Sequence, residues 1–140
     1  MEQLFSLSGV PALIGWASLL ASPLIPRISQ IIAGIVSPAL LSIAYAALVL
    51  GFWKSASGGF NSLADVSLLF QTPQILLAGW VHYLAFDLFI GAWIVRTARA
   101  EGLSFIFVVP LLPLTFLFGP AGFLAFTAIR AARGTLQPSL

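Results

Sequence analysis

Gly79-Trp80-Val81-His82-Tyr83-Leu84-Ala85-Phe86-Asp87-Leu88-Phe89 sets a histidine, a tyrosine and an acid into one otherwise apolar run. The run extends from Pro73 to Val95. It opens on a proline, which a first helical turn tolerates, and leaves through Arg96, Arg99 and Glu101 to Gly102, a helix stop. A bilayer core about 30 Å thick needs about 20 apolar residues per helix, with every backbone group hydrogen-bonded inside the segment. The stretch therefore predicts a membrane-spanning helix over 73–95 that carries ionisable groups at depth. Asp87 is the residue to explain, because a charge at mid-bilayer costs about 2.5 to 3.5 kcal/mol on insertion scales. At about 100° per residue Tyr83 and Asp87 share a face, which Trp80 and Gly91 extend, while His82 lies about 140° round from Asp87. His82 and Asp87 cannot pair directly within the helix.

Three further apolar stretches flank this one. Residues 4–24 contain no charge and close on Pro23, Pro26 and Arg27; the preceding Met1-Glu2-Gln3 lacks the cations of a signal peptide, which predicts an uncleaved span. Residues 28–53 end at Trp53-Lys54, an aromatic beside a cation, as at a membrane interface, and their small residues Ala39, Ser42 and Ala46 fall on one face suited to close helix packing. Residues 103–129 are interrupted by Pro110, Pro113 and Gly119-Pro120 and are too short for two crossings. One kinked helix is expected there, its freed carbonyls facing protein or a cavity. Between the second and third stretches, Ser62 and Asp65 resemble a capping box, and Leu63, Val66 and Phe70 recur at helical spacing, so a short interfacial helix is predicted over 62–70. The expected fold is an all-α membrane protein, a single domain over 1–140 with four transmembrane helices and one interfacial helix. On that topology Lys54, Arg130 and Arg133 lie on one side and Arg27, Arg96 and Arg99 on the other, a tie that gives no orientation.

Composition agrees with a lipid environment. Of 140 residues 60% are hydrophobic and 7% charged, and the mean hydropathy is +1.07, where a soluble domain carries about a quarter of its residues as charges. Disorder is excluded by the same hydrophobicity. There is no cysteine, hence no disulfide and no thiolate ligand or nucleophile. No run of basic residues exists to grip nucleic acid, despite a formal charge of +2.

The chemistry rests on the third stretch. A carboxyl taken out of water favours its protonated form, so Asp87 is a candidate acid and His82 a candidate base, with Tyr83 beside the acid. The alternative is that Asp87 and His82 merely hydrogen-bond between helices, Asp87 to Tyr45 or a serine, and fix the bundle. The sole histidine makes a poor metal site, and no cofactor or metal is expected; only haem shared between two chains would suit it. No nucleophile elbow, phosphate loop or dinucleotide fingerprint is present.

The Trp80-Val81-His82-Tyr83-Leu84 and Asp87-Leu88-Phe89 pattern resembles the abscisic-acid-deficient-four-like membrane proteins, whose plant members are required for making neoxanthin from violaxanthin. Phe60-Asn61-Ser62-Leu63, Leu69-Phe70 and Leu114-Thr115-Phe116-Leu117-Phe118-Gly119-Pro120-Ala121-Gly122 extend the resemblance, which covers about residues 60–132. It implies a four-helix protein that acts on or binds a carotenoid or other apolar isoprenoid. Turning an epoxide-ended xanthophyll into an allene is an isomerisation without a redox cofactor: an acid protonates the epoxide oxygen and a base takes a proton from the polyene. Under the resemblance Asp87 is the donor, His82 or Tyr83 its partner, and Trp80, Phe86, Phe116 and Phe118 line the polyene groove. The chain departs from the plant pattern in lacking a transit peptide and a longer N-terminus. With its short loops this points to a bacterial member, in an inner or photosynthetic membrane, with homo-oligomerisation left open. The rivals are a non-catalytic pigment-binding or assembly subunit and a small proton-linked transporter, which would also use an intramembrane acid and histidine.

Overall fold

The computed structural model describes residues 1–136, and every regular element among them is helical. Helix α1 (Glu2–Leu20) is followed by α2 (Pro26–Ile31), which passes through a π-helical turn (Ile32–Val36) into α3 (Ser37–Phe52); α4 (Leu63–Leu69) precedes the long α5 (Pro73–Ala100), and α6 (Phe105–Val108), α7 (Leu111–Leu117) and α8 (Gly119–Ala132) complete the chain. Three helical stretches are long and apolar enough to cross a membrane: Glu2–Leu20, Pro26–Ser55 and Pro73–Ala100. The π turn has a local cause. Pro38 has no N–H to give the Gly34 carbonyl, and its ring crowds that carbonyl, so the helix widens and the Ser37 N–H reaches back to the Ile32 carbonyl.

α5 is the axis of the molecule. More than half of its membrane-length window is buried, 56% against 17% for the Pro26–Ser55 stretch, so the other helices pack around it. α1 runs parallel to it, with the Phe5 and Trp80 rings 5.2 Å apart near one end and Trp16 seated on Gly91 further along. α2 and α3 run antiparallel, since Gln30 Nε2 donates to the Ala92 carbonyl at 3.1 Å while Tyr45 lies 5.5 Å from the His82 ring. Leu19, Leu88, Ile94, Leu112 and Phe126 form the dry centre of the core. The small residues Ala39, Ser42 and Ala46, expected to pack, are exposed; α3 instead turns Ser37 and Leu41 inward.

The fourth apolar stretch is not the single kinked helix its hydrophobicity suggests. α6 and α7 run back along α5 from its C-terminal end, and α8 then reverses and returns. Leu103, Phe105 and Val108 share a cleft with Val95 and Ala98, the α7 carbonyls of Phe116 and Leu117 meet Tyr83, and Phe123 and Phe126 stand against Trp93 on the way back. Arg130 finally pairs with Glu101 at 2.6 Å. A helix that crossed a bilayer would hold those two side chains a membrane apart. Both ends of the hairpin close on a glycine in the left-handed region, Gly102 at φ 67° and Gly134 at φ 67°. In each case the glycine amide and the one after it cap the last turn: Gly102 to Arg99 and Leu103 to Ala98, Gly134 to Ala131 and Thr135 to Arg130. The charge tie also disappears, because Arg130 belongs with Arg96, Arg99 and Glu101 at one end and not with Lys54. At the other end, α4 starts where expected, the Ser62 Oγ accepting the Asp65 N–H at 3.0 Å.

Candidate functional site

The tip of the hairpin closes onto the chemistry-bearing face of α5. Pro120 cannot donate the N–H that would satisfy the Phe116 carbonyl in a continuous helix, so the backbone breaks at Phe118 (φ −145°, ψ 68°). Tyr83 takes over that duty: its hydroxyl donates to the Phe116 carbonyl at 3.0 Å and to the Leu117 carbonyl at 2.8 Å. One turn along α5, the Asp87 carboxylate lies beside the same Tyr83 hydroxyl and faces the Gly119 backbone N–H at the start of α8. Here the aligned peptide dipoles present their positive end, the favourable place for an acid. Asp87 is only 5% exposed, and its Oδ2 has no hydrogen-bond partner.

Two glycines make this approach possible. A Cβ on Gly119 would overlap the Asp87 carboxylate, and one on Gly122 would overlap Thr115, whose fully buried Oγ1 donates to the Leu111 carbonyl at 2.7 Å. Phe118-Gly119-Pro120-Ala121-Gly122 is thus a turn built for contact: proline breaks the helix and starts the next, and the glycines clear space for an acid and a threonine.

A family model described as ABA4-like, ABA DEFICIENT 4-like, matches residues 3–126. The chain belongs to that family. Membership associates this ABA DEFICIENT 4-like protein with neoxanthin formation, and the match takes in α1 to α3, which the motif resemblance did not reach. No curated protein and no solved structure shows significant similarity to the chain.

In this ABA DEFICIENT 4-like protein the sequence-derived candidates divide into two groups. Asp87, Tyr83 and Phe116 come together at the hairpin tip. Trp80 stacks on Tyr83 with centroids 5.3 Å apart, at the edge of that group. His82 lies on another face, exposed, stacked on Phe86 at 4.7 Å and beside Tyr45. Phe118 is 62% exposed at the outside of the turn. Asp87 does not bond Tyr45, so the simple interhelical tie from that tyrosine is absent. Among the described residues no three His, Cys, Asp or Glu side chains cluster.

Beside the tip runs an apolar groove of about 460 Å³ between α1 and the α6–α7 arm of the hairpin, lined by Leu13, Trp16, Leu20, Val109, Leu112 and Phe116. Trp16 stands between the groove and α5. Its ring meets Phe116 edge-on at 5.5 Å and covers Gly91, one turn beyond Asp87. Sequence reading offers Trp16, with Trp53, Trp80 and Trp93, as a pigment contact, but it missed Gly119 and Gly122 as site residues. The missing i+4 donor at Pro120 was the available signal, because an orphaned carbonyl in lipid must find a partner elsewhere.

Proposed function

We propose that this protein holds a carotenoid or related isoprenoid with its apolar body in the α1–α7 groove and its oxygenated end group at Asp87, and that Asp87 is the proton donor in an acid-base isomerisation. The unpartnered Oδ2 of the buried Asp87 carries this reading, with the Trp16 and Phe116 rings standing between the acid's face of α5 and an apolar groove that they line. A groove of about 460 Å³ falls in the ordinary range of ligand sites. In the chemistry proposed, the Asp87 O–H bond breaks as the epoxide oxygen takes the proton and the C–O bond opens; loss of a polyene C–H proton then forms the allene. The reaction is proton-neutral. The carboxylate left by the first step can itself accept the second proton, which is the economical assignment when His82 faces away and the Tyr83 proton is engaged by the α7 carbonyls.

That same commitment of Tyr83 favours a second reading, a non-catalytic pigment-binding subunit in which Asp87 accepts a hydrogen bond from an end-group hydroxyl. In either case the proposed membrane placement is three crossings, α1, α2–α3 and α5, with α6–α8 as a re-entrant hairpin whose polar turn is tolerated at depth because protein buries it. α4, with Leu63 87% exposed, lies on the membrane surface in this placement.

The test is the carotenoid profile, by chromatography and mass spectrometry, of the native host with the gene deleted and then restored as wild type or Asp87→Asn. The catalytic reading expects one xanthophyll to vanish on deletion, its precursor to accumulate, and only the wild type to restore it. Full restoration by Asp87→Asn removes the acid role, and an unchanged profile on deletion removes carotenoid conversion.

A further inference from the structure

The fold assembles one basic cleft from arginines that are far apart in sequence. Arg27 at the start of α2 and Arg96 and Arg99 on the last turns of α5 line a cleft of about 510 Å³ with Ser22, Gln30 and Val95. All three arginines are exposed, as interface cations are, but they converge instead of spreading. Among the described residues the one ion pair is Arg130 with Glu101, so no carboxylate neutralises the three guanidiniums. Arg96 is also positioned. Gln30 Nε2 donates to the Ala92 carbonyl at 3.1 Å, which fixes the amide and presents its Oε1 to Arg96 Nη1 at 3.3 Å. A smaller cleft of about 290 Å³ shares Ser22, Val95 and Arg99 with it.

A ligand for this cleft needs compact negative charge joined to an apolar body. Guanidinium forks match phosphate oxygens, and basic pockets between membrane helices receive lipid headgroups. The remaining walls, Pro26, Ile31 and Val95, are apolar; Val95 is buried, while Ile31 and its neighbour Ile28 are exposed on α2. We propose that the cleft seats the phosphate headgroup of an anionic phospholipid of the surrounding leaflet, its acyl chains lying along the exposed apolar residues of α2. The site is separate from Asp87 and does not depend on the isomerase reading.

Native mass spectrometry of the full chain in non-ionic detergent, with phosphatidylglycerol, phosphatidylcholine or inorganic phosphate added, tests this. Wild type should retain phosphatidylglycerol and not phosphatidylcholine. Arg27→Gln, Arg96→Gln and Arg99→Gln should each weaken retention about fivefold, the equivalent of about 1 kcal/mol per basic residue. Lys54→Gln, at the opposite end, and Arg133→Gln, outside the cleft, should not, and Arg99→Lys should fall between wild type and Arg99→Gln. Equal retention of both lipids, equal loss in the two controls, or displacement of the lipid by millimolar inorganic phosphate overturns the proposal, the last by making free phosphate the occupant.

Discussion

Asp87 and Gly119 define the smallest scale at which the site is specified. The helical period alone puts Tyr83 and Asp87 on one face and His82 on another, and the structure agrees. Their partners were not legible, because Gly119 is 32 positions from Asp87 in sequence and a glycine reveals that it clears space only when the opposing side chain is known. Gly119→Ala should therefore lower stability by about 1 to 3 kcal/mol, the ordinary cost of overpacking, in thermal unfolding of the detergent-solubilised protein. Gly9→Ala, where a Cβ meets nothing within 4 Å, should cost nothing. Tyr83→Phe leaves the Phe116 carbonyl without a donor and should cost about 1 to 3 kcal/mol. Equal stability of Tyr83→Phe and wild type would mean that the carbonyl finds another partner.

Among the elements, the first three apolar stretches were readable because length, hydrophobicity and the flanking Pro26-Arg27 and Trp53-Lys54 signals all agree on helices, here Glu2–Leu20, Pro26–Ser55 and Pro73–Ala100. α4 was readable from Ser62 and Asp65. The hairpin was not, since an apolar run broken by prolines satisfies hydropathy whether it kinks onward or folds back. What distinguishes them is the fit of Gly119 and Gly122 against Asp87 and Thr115, and the Glu101–Arg130 pair at the base. The Arg130 hydrogen bond holds the Glu101 carboxyl below the usual carboxylate range, against a smaller opposing effect of burial. A lowered folded-state value stabilises above the unfolded value, about 4.3, and that stabilisation is lost as pH falls through the folded one. The unfolding difference between wild type and Glu101→Gln should thus be flat above about pH 5, no larger than about 1 kcal/mol, and shrink toward zero in acid. A difference that grows in acid would contradict the pairing.

On the scale of the whole molecule, folding back redistributes charge. Arg27, Arg96, Arg99 and Arg130 gather at the end where α1 and α5 finish, and Lys54 sits at the other with Glu2 and Asp65. The positive-inside rule then predicts that the arginine end faces the cytoplasm, an orientation that a four-span reading could not give. The central claim, that α6–α8 enter the membrane and return to the side they left, is directly testable because the chain has no cysteine. Ser57→Cys, Ser104→Cys and Ala132→Cys, all at exposed positions, can be labelled singly with a membrane-impermeant maleimide in sealed and in opened cells. Ser104→Cys and Ala132→Cys should share one side, reacting only after opening, while Ser57→Cys reacts in sealed cells. If Ala132→Cys instead reacts together with Ser57→Cys and apart from Ser104→Cys, the last stretch crosses the membrane and the hairpin account is wrong.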